Sequence, residues 1–428
     1  MSNARAFLHS LFETAVAATH PASCLPAHLP TLPERGRLIM LAAGKAAGSM
    51  TQVAERHYLG AGLRPARLAG LAVTRHGYAC PTAHIRMIEA GHPMPDAAGL
   101  RATDEVLKLA DSAGADDLVL VLMSGGASAN WIAPADGLSL AEKQAVTKAL
   151  LRSGAAIDEI NTIRKHLSRI KGGRLAARAR PAAVVTLAIS DVPGDDPAVI
   201  GSGPTVPDPT TLDDARAIVA RFGLALPPTV SRALDDPANE TPKPGDAAFA
   251  GMTYRLIARP ADAFRAAERV IQAAGYECVF LGDQVEGEAR EVAAAHARIA
   301  FDLKAAGRRA VILSGGELTV TLRGDGRGGP NQEYALGLAF AGKDSAGFAA
   351  LSADTDGTDG GSGSPDDPAG AYVDSTTYGR AQGLGLDPAA FLANNDSSRF
   401  FARLGDLVAC GPTFTNVNDF RAILVDTI

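Results

Sequence analysis

A chain of 428 residues is too long for one ordinary domain, and its 46% hydrophobic and 21% charged composition is globular, which excludes a disordered or fibrous protein. A formal net charge of −6 argues against nucleic acid or an anionic membrane as partner, because both demand a dominant basic surface. Four widely spaced cysteines (Cys24, Cys80, Cys278, Cys410) show no CxxC or Cys/His ligand spacing and are expected as reduced thiols. Near the start, His9, Ser10 and Glu13 interrupt the apolar run around Leu8, so an amphipathic helix is expected rather than an export signal, and with it a cytoplasmic location. The apolar runs, such as residues 118–123, are strand-length and far short of the roughly 20 residues that cross a bilayer.

From residue 37 onward the pattern alternates strand and helix, which predicts an α/β fold. Residues 38–43 form an apolar strand ending in Gly44-Lys45, followed by a helix over 46–58. Strands are expected at 68–74 and 84–90, then a helix led by Asp96. The run 118–123 is apolar throughout, as strands buried on both faces of a parallel sheet are, and leads into Ser124-Gly125-Gly126-Ala127-Ser128. Helices over 139–153 and 157–179 precede a strand at 182–189 that ends in Ser190-Asp191. Between 225 and 250 the chain is rich in Pro, Asp and small residues, which places a domain boundary there: residues 1–245 and 246–428. Alternation then resumes, with a second apolar strand, 310–313, ending in Ser314-Gly315-Gly316. Two such glycine loops, one in each half, suit ligands at the carboxyl ends of strands.

Several groups of residues could carry chemistry. Lys45 sits at a strand-to-helix turn among small residues, where backbone N–H groups and an ammonium suit an anion. The stretch Arg323-Gly324-Asp325-Gly326-Arg327-Gly328-Gly329 is expected as a mobile loop carrying a guanidinium, the usual device for stabilising a transferring phosphoryl group. Asn331-Gln332-Glu333 then opens a helix, with Asn331 and Glu333 as candidate nucleotide contacts. Asp191, and Asp354 with Asp356 in Asp354-Thr355-Asp356-Gly357, are strand-end carboxylates suited to Mg²⁺ or to accepting a hydroxyl proton. Arg164, Lys165, Arg169, Lys171 and Arg174 fall on one expected helix; such a run ordinarily forms a solvated face, or holds phosphate or carboxylate if the helix lines a cleft. No G-x-G-x-x-G stands in a strand–turn–helix context with its acidic partner, which counts against a dinucleotide site.

Taken in order, five motifs resemble the glycerate 2-kinase family of the MOFRL type, some members of which are labelled hydroxypyruvate reductase. They are Asn161 to Ser168 with Lys171-Gly172-Gly173-Arg174-Leu175, the Ser190 to Asp196 turn with Gly201-Ser202-Gly203-Pro204-Thr205, the Gly-Arg-Gly-Gly loop before Asn331-Gln332-Glu333, Asp354-Thr355-Asp356-Gly357, and Thr415-Asn416-Val417-Asn418-Asp419. The resemblance implies an N-terminal Rossmann-like three-layer αβα domain, a smaller C-terminal α/β domain and an active site in the interdomain cleft. It implies ATP- and Mg²⁺-dependent phosphorylation of the 2-hydroxyl of D-glycerate, by a monomer or homodimer. Lys45 and Arg327 match the family's proposed catalytic lysine and arginine, with Asp191 as the third catalytic candidate. Ser124, Gly125, Gly126, Ser128, Ser314, Gly315 and Gly316 are the expected nucleotide and substrate loops. Pro330 stands where the family usually has a second arginine, and Phe414 where it usually has glycine. The competing function is an NAD(P)H-dependent hydroxypyruvate reductase.

Overall fold

A computed structural model describes residues 2–343, 345, 347–361 and 363–426. Its contacts fall into two compact units, one spanning Cys24–Ile257, the other made of the residues up to Ser23 and from Ala258 onward.

The first unit is built on a six-stranded sheet of β1 (Leu38–Ala43), β2 (Leu68–Arg75), β3 (Arg86–Ala90), β4 (Leu118–Met123), β5 (Ala183–Ile189) and β6 (Thr253–Ala258), in the order β3-β2-β1-β4-β5-β6. β3, β2, β1, β4 and β5 pair in parallel. Every residue of β1 and β4 is buried, as their unbroken apolar sequence predicts for strands covered on both faces. With the two-residue period of a strand, Ile39, Leu41, Val119 and Val121 share a core with Ala102, Val106 and Ala110 of the helix Ala97–Asp111. Asp96 caps that helix, its carboxylate accepting the Gly99 N–H at 2.8 Å. The strand order reverses between β1 and β4, and open α/β sheets bind ligands outside such a reversal.

Two segments differ from the pattern expected of the sequence. The helix expected over 157–179 is broken into Ile157–His166 and Arg174–Ala179: the first stops at Leu167, just before Ser168 bridges to Pro134, and Gly172 and Gly173, both with left-handed backbone angles, turn the chain into the second. The Pro- and Asp-rich stretch 225–250 contains a helix, Pro228–Asp235, whose Val230 and Leu234 are buried in a helical cluster with Ile160, Ile163 and Leu150.

The second unit holds β7 (Glu277–Phe280), a short ladder of β8 (Gly287–Glu288) with β10 (Leu318–Thr319), β9 (Ala310–Ser314), β11 (Phe348–Asp354), β12 (Gly370–Asp374), β13 (Leu407–Val408) and β14 (Asp419–Val425). Its main sheet runs β13-β12-β11-β14-β9-β7, antiparallel except for the parallel pair β7 and β9. One face packs against the helices Ala289–Ala305 and Pro330–Ala341 through Ala293, Ala297, Tyr334 and Leu338. The other is covered by the helix Pro260–Ala273 and by the helix Ser2–Thr19 from the beginning of the chain. Phe420 anchors both, with ring centroids 5.6 Å from Phe264 and 6.1 Å from Phe12. Thr415 adds a hydroxyl bond to the Thr19 carbonyl at 2.8 Å. Among the described residues no helix is long and apolar enough to cross a membrane.

Phe12, 2% exposed, makes the N-terminal helix part of this unit's core. Phe12→Ala is expected to lower the unfolding free energy by about 3–5 kcal/mol, seen as an earlier urea midpoint by far-UV circular dichroism. An unchanged midpoint would mean that the helix adds nothing to this unit.

Candidate active site

In the parallel-sheet unit, register decides which loops are neighbours. Ala43 pairs with Met123, and Met123 with Ala188, so the segments leaving β1, β4 and β5 emerge side by side. They carry Lys45, Ser124 to Ser128, and Asp191. The Lys45 N–H donates to the Gly125 carbonyl at 2.8 Å, and the Ala46 N–H to Ser124 Oγ at 2.9 Å, tying the first loop to the second. Gly126 has φ of +85°, and a Cβ there would stand 2.9 Å from the His92 ring and 3.3 Å from Lys45 Cγ, so only glycine leaves room for both side chains. The N–H groups of Gly125 and Gly126 have no acceptor among the described residues. Two amides without an acceptor beside a lysine side chain are the chemistry that suits an anion.

Of the five cations that sequence reasoning assigned by default to a solvated face, Lys165 and Lys171 are buried and Arg164, Arg169 and Arg174 are partly buried. Lys171 is 1% exposed and donates to the Ser128 carbonyl and to Ser128 Oγ, both at 2.8 Å. Arg164 donates to the same hydroxyl at 3.1 Å, and Ser202 Oγ lies 2.9 Å from it. Burial, with Arg164 and Lys143 nearby, pushes the Lys171 ammonium well below its ordinary pKa, and burial lowers that of Arg164 too. Lys165 and Arg169 are ordinary structural cations, paired with Asp208 at 3.4 Å and Asp104 at 2.6 Å. Arg164 and Lys171 are therefore site candidates beyond those singled out from the sequence. Arg164 lies in the helix Ile157–His166 and Lys171 beyond its end, so the run is not one face of one helix, and no glycine or proline between the two marks that stop in the sequence.

In the mixed-sheet unit the Gly-rich segment is clamped, which corrects the expectation of a mobile loop. Asn395 Oδ1 accepts the Arg323 and Gly324 N–H groups at 2.6 and 3.2 Å, and Asp396 Oδ1 accepts that of Arg327 at 3.1 Å. The Arg327 carbonyl in turn accepts the Ser398 N–H at 2.8 Å. A Cβ at Gly326 would lie 2.5 Å from the Asn394 carbonyl oxygen and from Asp396 Cβ, so glycine here allows close approach rather than motion. The Arg327 side chain remains exposed on this fixed backbone.

Beneath the clamp lies a buried polar network. Asp359 accepts the Asn331 and Gln332 N–H groups at 3.0 and 2.8 Å and their side-chain amides at 3.3 and 3.0 Å. Asn331 also donates to Asp419 at 2.6 Å and accepts Ser352 Oγ at 2.7 Å. Glu333 is paired with Arg290 and bonded by Asn395 at 3.4 Å. Asn331 and Glu333 thus stand inside the network, each 1% exposed. Pro330 takes the first position of the helix Pro330–Ala341, where its missing N–H is no loss. The second glycine loop is engaged internally: Gly315 donates to Gly282 at 2.8 Å, and its carbonyl accepts the Val285 N–H at 3.2 Å and the Arg421 guanidinium. Asp354 and Asp356 end β11 in a tight turn, Asp354 Oδ1 accepting the Asp356 N–H at 2.9 Å. Among the described residues no three His, Cys, Asp or Glu side chains gather as a metal cage. Phe414 takes φ of +59°, the left-handed region that glycine enters without strain.

Residues 7–235 match a family described as a domain of unknown function (DUF4147), and residues 310–419 match the MOFRL family. The chain is 38% identical over 414 residues to the D-glycerate 2-kinase of Thermotoga maritima, covering 96% of this chain and 95% of that protein. It is 46% identical over 429 residues to a protein of Agrobacterium vitis that carries the provisional name hydroxypyruvate reductase, covering 99% of this chain and 95% of that one. The crystal structure of a glycerate kinase from Thermotoga maritima matches with a TM-score of 0.86 at 37% identity, covering 99% of this chain and 100% of that one.

Burial, with the nearby Asp419 charge adding to it, pushes the Asp359 carboxyl up to about 7 from 3.8, against the Asn331 and Gln332 backbone N–H groups and the Gln332 side-chain amide that pull it down. The folded chain therefore holds this proton across a window in which the unfolded chain has lost it, so stability contributed through Asp359 falls as pH rises from 3.8 to about 7. Asp359→Asn is expected to flatten that fall, measured as the difference in urea midpoint between wild type and variant at acid and neutral pH. Asp359→Ala, which leaves buried donors without an acceptor, is expected to cost about 3 kcal/mol or more at any pH.

Proposed function

We propose, for a chain that belongs to the glycerate kinase family, transfer of the γ-phosphoryl group of ATP to the 2-hydroxyl of D-glycerate, giving 2-phosphoglycerate and ADP. The observation that carries this reading is the pair of unengaged amides, Gly125 and Gly126, beside Lys45 at the reversal of strand order. Phosphoryl transfer asks a protein mainly for positioning and for neutralising charge spread over phosphate oxygens, and this is what those groups supply.

In the mechanism the Gly125 and Gly126 N–H groups donate to phosphate oxygens, and the Lys45 ammonium offsets their charge. Arg327 presents a guanidinium from a clamped backbone, so little conformational freedom is lost when it engages the transferring group. Asp191 accepts the proton of the attacking 2-hydroxyl. Asp191, Asp354 and Asp356 are all carboxylate-oxygen donors, which fits Mg²⁺, an ion that takes one or two protein carboxylates along with phosphates and water. When bound, Mg²⁺ would neutralise phosphate charge. The reductase alternative has no dinucleotide fingerprint to support it.

Phosphorus NMR of the protein with ATP, Mg²⁺ and D-glycerate is expected to show ADP and 2-phosphoglycerate. With hydroxypyruvate, NAD(P)H absorbance is expected to stay constant, and its decay would replace this reading with the reductase. Arg327→Ala is expected to lower kcat about 10³-fold with an unchanged circular dichroism spectrum, and Lys45→Ala about 10²-fold. Near-normal turnover in either variant removes that residue from the mechanism.

A further inference from the structure

We propose that Arg164 and Lys171, joined through the Ser128 hydroxyl, form the subsite that holds the carboxylate of the hydroxy acid. The inference rests on the kinase reading for the identity of the acid and on the following geometry for the rest.

Neither Arg164 nor Lys171 has a carboxylate partner among the described residues, whereas Lys165 and Arg169 on the same segment each do. A third buried cation, Lys143, faces the Leu167 and Arg164 carbonyls and brings no negative charge. Ser128 cannot offset these charges. Its two lone pairs accept from Arg164 and Lys171, which leaves its single proton for Ser202, so the hydroxyl is saturated and neutral. Buried cations without a counter-charge are costly, and the arrangement becomes favourable when a ligand brings an anion.

The scaffold around the cluster is held at some strain. Ser202, a non-glycine residue at φ of +62°, accepts the Gly172 N–H at 3.0 Å while its hydroxyl meets Ser128 at 2.9 Å. Left-handed serine next to Lys171-Gly172 is the kind of local strain that collects at binding sites. Arg164 is only partly buried, so the cluster is not wholly sealed from solvent.

Position selects the carboxylate over a phosphate. In a 2-hydroxy acid the reacting hydroxyl and the carboxylate sit on adjacent carbons, so the seat for the carboxylate must adjoin the amides that hold the transferring group. Ser128 lies three residues beyond Gly125 on the same loop, while Lys45 and the Gly125 and Gly126 amides already supply the phosphate donors. A planar guanidinium presents two parallel N–H groups to a carboxylate, and a lysine in its place keeps the charge without the fork.

The test compares wild type, Arg164→Gln, Arg164→Lys and Lys171→Met with D-glycerate and with glycerol, which replaces the carboxylate by a hydroxymethyl group. Arg164→Gln and Lys171→Met are expected to raise KM for D-glycerate roughly 30-fold or more, and Arg164→Lys about tenfold. KM for ATP and the poor turnover of glycerol should stay as in wild type in all three. A rise in KM for ATP, or unchanged D-glycerate kinetics, overturns the proposal. Should a neutral variant fail to fold by circular dichroism, Arg164→Lys, which keeps the charge, carries the test alone. Should wild type prove unable to phosphorylate D-glycerate, the kinase reading falls, and calorimetric titration still decides the subsite. D-glycerate binding to wild type that is weakened in Arg164→Lys sustains it, and equal binding to both or none to wild type overturns it.

Discussion

The parallel register of β1, β4 and β5 is the constraint from which the candidate chemistry of the first unit follows. Strands paired in step end in step, so Gly44-Lys45, Ser124 to Ser128 and Ser190-Asp191 leave the sheet as neighbours although about 145 residues of chain separate the first from the last. The interiors of β1 and β4 are apolar throughout, which makes any slip of register costly and keeps the loops where they are. Backbone bonds from Lys45 and Ala46 to the second loop then fix the loops to one another. Two amides, those of Gly125 and Gly126, have no acceptor among the described residues, and the Lys45 side chain and the Arg164 and Lys171 cations stand on or beside the same loop. Donors grouped in this way suit an anion.

The second unit reaches rigidity by a different route. Its Gly-rich segment has a composition that suggests motion, yet each glycine is close to a neighbouring atom of the Asn394 to Ser398 segment or of Asp359. Rigidity here suits the role proposed for Arg327, since a guanidinium on a fixed backbone has less entropy to lose when it meets an anion. The network below extends from Asp359 through Asn331 to Asp419 and Arg421, so the clamp is tied to β14, a central strand of the sheet. Buried polar networks of this kind are favourable only when nearly every group has its partner, and this one has four donors on a single carboxylate.

The hydrophobic pattern made most of the strands legible, because two-faced burial leaves continuous apolar runs such as 118–123 and 310–313. Lys45, Arg327 and the carboxylates Asp191, Asp354 and Asp356 were singled out because each follows a strand or a glycine cluster, where α/β folds tend to place ligands. Arg164 and Lys171 were harder to find. A run of cations has the same composition whether it faces water or surrounds a buried hydroxyl, and Gly172-Gly173, which follow both residues, do not distinguish the two. The loop carrying Arg327 was misjudged for a related reason: glycine permits both motion and close packing, and its neighbours at 394–398 are remote in sequence.

By itself the sequence determined the alternation of strands and helices, the glycine turns at strand ends and the ordered motifs of the family, all of which are local patterns imposed by backbone geometry. Tertiary structure alone decided which cations lost their water, which loop was clamped, and that the helix Ser2–Thr19 lies over Phe420 rather than beside the strand that follows it in the chain. These depend on contacts between residues tens to hundreds of positions apart. Burial and hydrogen-bond partnership are set by what the folded chain brings near, and no local pattern encodes it.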